Sequence, residues 1–320
     1  MPNVSVILPT CNRSARLREA VASIQAQTVT DWELLIVDDG STDETPQAAR
    51  ELCDGDARIH CLRQNNRGGA AARNAGIRAA RGALIAFLDD DDAWVPGKLA
   101  AQCRLLDQER GLGWVYSHLA IHNHDTGITE TRGRSVTSFR ELFRGRFIGL
   151  QTMVVQHSVI ERAGLLNEDP AIWGAEDLEW CLRLAKVAPF RCVPEPLTIR
   201  NLFAEHGTLE RQARYLEGLI RMYRQLDLSG QQEVTALDRT RKVADLHHHA
   251  ACFYREHGAY RQAASHFGRA LLTYPPIGLY LSTGSRTWQQ QLRQVLAPLV
   301  QGAACLLKAS KNGLVIRHNT

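Results

Sequence analysis

The chain has 320 residues, 44% of them hydrophobic and 22% charged, with a formal net charge of +4. That composition belongs to an ordinary folded protein and excludes a disordered or collagenous chain. The length gives room for one large domain or two. The mild basicity requires no nucleic acid, and none is expected as a partner; an anionic substrate or membrane surface is compatible with it.

No apolar run reaches the roughly 18 residues that a membrane span needs. Met1-Pro2-Asn3 leads directly into a strand-like segment, so no signal peptide is expected and the reading is cytoplasmic. The 8 cysteines are scattered without a CxxC pair. Neither a zinc site nor a disulfide framework is expected, and the thiols are read as reduced.

Residues 4–10 are β-branched and apolar and stop at Pro9-Thr10, which predicts a first buried strand. Residues 16–27 carry Leu17, Ala20, Val21 and Ile24 at helical spacing. A second strand over 32–37 ends at Asp38-Asp39-Gly40. Ser41 to Asp43 offer helix caps, Glu44 is placed to complete a capping box with Ser41, and Pro46 falls in the first helical turn. A weaker strand is predicted over 58–62 and an alanine-rich helix over 68–81. Residues 83–88 are apolar without alternation, the pattern of a strand buried on both faces. Strand and helix therefore alternate, which predicts an α/β fold with a single, mostly parallel sheet flanked by helices.

That last strand runs into Asp89-Asp90-Asp91-Asp92. Four adjacent acids repel, and burying them unpaired is costly. In an extended backbone Asp89 and Asp91 would project to one side and could share a divalent cation, Mg2+ or Mn2+. The alternative is a solvated acidic turn. In such sheets ligands bind beyond the carboxyl ends of the strands, and there the sequence gathers Thr10 and Asn12, Asp38 and Asp39, Arg73 and Asn74, and the four acids. Neither GxGxxG nor GxxxxGK[ST] is present, so a dinucleotide fingerprint and a P-loop are excluded.

The ordered set Val4 to Arg13, Val37-Asp38-Asp39-Gly40-Ser41-Thr42-Asp43, Gly68 through Arg73-Asn74-Ala75-Gly76, and Phe87 to Trp94 resembles family-two inverting glycosyltransferases with the A-type nucleotide-sugar fold. The resemblance covers roughly the first two hundred residues. It implies transfer of a sugar from a nucleoside diphosphate donor, a UDP-sugar, to a glycan or lipid-linked acceptor. It implies that Pro9, Thr10 and Asn12 line the nucleotide pocket, that Asp39 bonds the base with Asp38 in support, and that Arg73 and Asn74 face the donor. Asp89 and Asp91 would form the metal-binding Asp-x-Asp. Asp92 would orient that turn or touch the sugar, and Asp90 is the position where the family varies.

Further on, strands are predicted at 114–117 and 152–155, with a hairpin or mobile loop over 121–138 and a helix over 159–163. Glu176-Asp177 opens a helix with Leu178, Leu182 and Ala185 on its apolar face; an acidic first turn is common in any helix. Inverting transfer needs a base for the acceptor hydroxyl. By resemblance to the family's Glu-Asp motif, Asp177 is that base and Glu176 positions the acceptor. A last strand follows at 194–200, and His206 stands where the family often completes the metal shell.

Residues 210–226 read as a helix closing a catalytic domain at 1–226, followed by a helical extension at 227–320. His247-His248-His249 lies in a helical stretch whose consecutive residues point apart, against a metal site. Residues 250–275 resemble one tetratricopeptide helix pair, read as a hairpin packed on the catalytic domain because stable arrays need about three repeats. Residues 292–307 are apolar and amphipathic among basic residues. They fit peripheral contact with an anionic membrane or a buried core helix. Two rival functions remain from sequence: a phosphatase or nucleotidyltransferase using the acids, and a non-enzymatic helical adaptor.

Overall fold

A computed structural model of the chain describes residues 2–145, 148–203 and 208–273, and near the C-terminus 301, 303–305, 307 and 308. It forms two compact units: residues 1–169 with 176–207, and residues 170–175 with 208–320. The helix expected to close the first domain thus groups with the second unit.

The first unit opens β1 (Val4–Thr10), α1 (Ser14–Gln25), β2 (Trp32–Asp39), α2 (Thr45–Gly55), β3 (Ile59–Gln64), α3 (Gly69–Ala79) and β4 (Leu84–Phe87). It continues with β5 (Ala93–Trp94), α4 (Lys98–Gln108), β6 (Trp114–Asn123), β7 (Thr129–Arg132) and α5 (Phe139–Phe143). It closes with β8 (Met153–Gln156), α6 (His157–Ala163), α7 (Glu176–Val187) and β9 (Phe190–Leu202). The strands make one sheet in the order β3-β2-β1-β4-β8-β6-β9-β5, with β7 paired to β6.

The half formed by β3, β2, β1 and β4 is wholly parallel. β8 then enters antiparallel between β4 and β6, while β6 and β9 run parallel. The parallel half is what the apolar, non-alternating strands dictate, because helices cover both faces. Val6 and Leu8 of β1 meet Leu17, Val21 and Ile24 of α1 in one cluster. Burying each such side chain contributes about 1.5–3 kcal/mol. The hairpin expected within 121–138 forms from β6 and β7, with Leu119 opposite Arg132. Along β6 and β9 the register shifts at His118, where β9 carries Pro194 and Pro196. A proline cannot donate to the ladder, which suits a bulge.

Two local expectations are corrected. Ser41 and Glu44 form no capping box: Glu44 is the N-cap of α2 without a side-chain bond, and Ser41 Oγ instead accepts from the Asn12 N–H at 2.9 Å. Asp43 Oδ1 takes the Thr45 N–H at 2.9 Å. Cys53 and Cys61, read as free thiols, form a disulfide between the end of α2 and β3. Their approach is set by α2 packing along β3, which a spacing of eight residues does not announce.

In the second unit, a turn at Pro170–Ile172 accompanies α8 (Leu209–Gln225), α9 (Ala236–Glu256) and α10 (Tyr260–Thr273). α9 and α10 pack through Ala251, Ala263 and Phe267 as a helix pair. The histidine run lies within α9; His247 turns inward, bonded to Arg224 at 2.9 Å and His266 at 3.0 Å. Among the described residues no helix is long and apolar enough to cross a membrane. Most of the 292–307 segment lies outside the described residues.

Candidate active site

The carboxyl ends of β1, β2 and β4 bring the expected residues to one edge of the sheet. After β1, Asn12 adopts a left-handed backbone (φ 55°), a region asparagine tolerates better than most residues. Its Oδ1 accepts the N–H groups of Thr42 at 2.8 Å and Asp43 at 3.3 Å, tying the β1 turn to the β2 turn. After β2, Asp38 Oδ1 accepts the Ser41 N–H at 2.8 Å, and the Arg63 guanidinium lies 3.1 Å from its other oxygen, without hydrogen-bond alignment. The Asp39 carboxylate accepts from Gln64 Nε2 at 2.8 Å, the Arg67 N–H at 2.9 Å and the Gly68 N–H at 2.8 Å. Asp39 therefore fixes the loop between β3 and α3.

The four acids after β4 do not lie along an extended strand. The Asp92 N–H bonds back to the Asp89 carbonyl at 3.1 Å, closing a turn. Alternation therefore fails as a guide to these side chains. Asp89 faces Arg73, with Nη2 to Oδ1 at 2.5 Å. Asp90 turns inward, taking the Thr10 hydroxyl at 2.7 Å and Arg13 Nη1 at 2.9 Å. The same Arg13 nitrogen reaches Asp91 Oδ2 at 2.6 Å. Asp92 accepts the Asn201 N–H at 3.0 Å, while Asn201 Nδ2 donates to the Asp91 carbonyl at 2.7 Å. The end of β9 thus clamps the acidic turn from the far side.

Burial sets the electrostatics. Asp90 and Asp92 are only 5% and 4% exposed. Burial pushes Asp90 up to about 6, against Arg13 and Thr10, which favour its ionised form. Burial, then the charges of Asp89 and Asp91, raise Asp92 well above the usual carboxylate range. At the start of α7, burial pushes Asp177 up to about 7; Arg73 opposes this, and Glu176 and Asp89 add to it. For Arg73 burial pulls downward, but Asp89 and then Asp177 outweigh it and hold the guanidinium charged. Arg73 is thus the electrostatic link between the β4 acids and α7. Glu176 Oε2 and Asp177 Oδ1 are buried without a hydrogen-bond partner, a costly condition that an incoming hydroxyl or cation would relieve.

Asn74 does not join this cluster. Successive helical residues point apart, and its amide is engaged with the Leu166 backbone at 2.9 Å and Glu168 at 2.8 Å. His206 lies outside the described residues. Among the described residues no three His, Cys, Asp or Glu side chains are grouped as a ready metal site. Crowded carboxylates do match the oxygen ligands that Mg2+ and Mn2+ prefer, and Mg2+ is commonly held by one or two carboxylates with substrate phosphates. On donor chemistry Asp89 and Asp91 fit such an ion.

The sequence profile of Glycosyl transferase family 2 matches residues 5–165. The chain belongs to glycosyltransferase family 2. The matched segment of this family-two glycosyltransferase runs from Ser5 of β1 through α6 and includes Thr10, Asn12, Asp38, Asp39, Arg73, Asn74 and the four acids after β4. It is 30% identical over 158 residues to UDP-Glc:alpha-D-GlcNAc-diphosphoundecaprenol beta-1,3-glucosyltransferase WfgD of Escherichia coli, covering 49% of this chain and 61% of that enzyme. The chain spans 19%, 18% and 61% of the lengths of three curated relatives that it matches. In fold it is similar to Staphylococcus aureus TarS 1-349 in complex with UDP-GlcNAc (TM-score 0.67, 15% identity, 98% of this chain and 92% of that one). It is also similar to mannosyltransferase PcManGT of Pyrobaculum calidifontis in complex with GDP-Man and Mn2+ (TM-score 0.58, 19% identity, 95% and 86%).

Sequence reading missed Arg13, Asn201 and Glu168 as parts of this edge. Arg13 had a signal, since it shares the β1 turn with Asn12. Asn201 and Glu168 had none, because only the sheet order brings the end of β9 to the acidic turn and only α3 packing brings residue 168 to Asn74.

Proposed function

We propose that the chain transfers a sugar, with inversion, from a UDP-sugar to a hydroxyl of a lipid-linked glycan acceptor. The observation that carries this reading is the buried Asp177 carboxylate, with an unpartnered oxygen and a raised proton affinity, sharing Arg73 with Asp89. The similarity to WfgD, a UDP-Glc:alpha-D-GlcNAc-diphosphoundecaprenol glucosyltransferase, and to TarS in complex with UDP-GlcNAc supports the acceptor and donor classes.

In this mechanism Pro9, Thr10, Asn12, Asp38 and Asp39 frame the nucleotide, and Asp39 keeps the β3–α3 loop in place around it. Asp177 Oδ1 accepts the proton of the acceptor hydroxyl while Glu176 orients that hydroxyl. The hydroxyl oxygen forms the new bond to the anomeric carbon as the bond from that carbon to the diphosphate oxygen breaks. The nucleoside diphosphate leaves with the electron pair. Asp90 and Asp92 hold the acidic turn through Thr10, Arg13 and Asn201. Asp89 and Asp91, with His206, would hold Mn2+ or Mg2+, an ion that offsets the charge of the leaving diphosphate when bound; the Mn2+ in the PcManGT complex supports it.

The test is sugar transfer by the purified chain to a lipid-linked acceptor, with and without chelator. The expected result is loss of turnover on chelation and recovery with manganese. Transfer that persists in chelator, and in an Asp89→Ala, Asp91→Ala double variant, would overturn the metal assignment. Release of inorganic phosphate in place of UDP would overturn the reaction class.

A further inference from the structure

Arg211 and Arg214, three residues apart on α8, share a helix face. Both guanidinium groups sit over the ring of Trp173, 5.5 and 4.7 Å from its centroid. Among the described residues neither is paired with a carboxylate. The seat is rigid. Gly218 lets the Trp173 carbonyl approach so closely that a Cβ there would lie 2.6 Å from it. Gly174 takes a left-handed backbone (φ 81°) against Tyr215, where a Cβ would stand 2.9 Å from the ring. Trp173 is thus half-buried against α8, with the two guanidinium groups held over its ring.

Two guanidinium forks side by side match the oxygens of a diphosphate, which they bind in bidentate fashion. Trp173 lies four residues before Asp177, so chain length alone keeps the two within about 14 Å. We propose that Trp173, Arg211 and Arg214 form the subsite for the diphosphate bridge of the acceptor, the group that joins its first sugar to its lipid. This rests on the acceptor class proposed above.

The experiment is calorimetric titration of the full chain with a short-chain polyprenyl diphosphate and, separately, with inorganic pyrophosphate and with UDP-GlcNAc. The wild-type chain is expected to bind the polyprenyl diphosphate. An Arg211→Ala, Arg214→Ala variant is expected to lose about tenfold or more in that affinity and to keep its UDP-GlcNAc affinity. The milder Arg214→Gln is expected to lie between, which guards against a folding defect in the double variant. Pyrophosphate weakened by the same factor supports recognition of the diphosphate itself. Equal affinity of wild type and both variants for the polyprenyl diphosphate overturns the subsite, as does no binding by the wild type. Polyprenyl diphosphate binding without any UDP-sugar binding or cleavage would sink the donor assignment while leaving the subsite standing; the converse would sink only the subsite.

Discussion

A carboxyl group out of water and beside another carboxyl group holds its proton harder than one in solution. Asp177 is in that position next to Glu176, with Arg73 as the opposing charge. Its base form accumulates only as pH climbs through the raised value. Turnover should therefore fall on the acidic side at a higher pH than an ordinary carboxylate would give, measured as kcat/KM against pH with saturating manganese; a profile flat down to pH 5 would contradict this. Asp177→Asn is expected to cost about 10²–10⁴ in kcat with UDP-sugar affinity retained, and a variant within tenfold of wild type would remove Asp177 as base. At this scale the sequence disclosed residue types better than directions. Asp38, Asp39, Asp89 and Asp177 were legible because strand ends and helix starts can be located from periodicity. The directions of Asp89 to Asp92 were not, because one backbone hydrogen bond converts strand alternation into a turn. Asn74 bonds to Leu166 and Glu168 and away from Asp89 for a related reason: adjacency to Arg73 in sequence is divergence on a helix.

Helices and strands themselves were largely legible, since apolar spacing in α1, β2 and β4 follows directly from what each must bury. The cap of α2 was not, because Ser41 had a competing partner in Asn12 that no local pattern announces. A second element holds an unexpected charge. Lys98, at the start of α4, is fully buried; its ammonium donates to Gln102 Oε1 at 2.6 Å and lies 4.1 Å from the Trp94 ring centroid. Burial pulls it down from 10.5 to about 7. The folded state therefore disfavours the proton, and stability should decline as pH drops from about 10 to about 7 and then level off, by up to roughly 4 kcal/mol. Lys98→Met should gain about 1–3 kcal/mol at pH 7 and show little of that slope. Urea midpoints at pH 7 and pH 9.5 check this, and a lower midpoint for Lys98→Met at pH 7 refutes it.

For the molecule as a whole, the chain passes from the first unit into the second and back between residues 169 and 176 before leaving for α8. Nothing in composition marks that excursion; it became visible only once 170–175 and α8 were seen together. Ile172 is 1% exposed, and its backbone carbonyl lies against Gly218 of α8. Truncation after residue 207 should strip this cover, costing roughly 2 kcal/mol or about 4–8 °C in thermal midpoint, and transfer should be lost although the β4 acids remain. A truncated chain with unchanged midpoint and turnover would contradict that expectation.

The irregular pairing of β6 with β9 at His118 has a consequence for engineering. It is a slack point in a ribbon whose inner end stacks Phe190 on Trp114 and whose outer end carries Asn201. One residue added or removed there would advance or retract Asn201 by about 3.3 Å and reverse its facing, with the Phe190 end free to keep its seat. Length changes at that joint offer a way to retune the rim that leaves the interior alone.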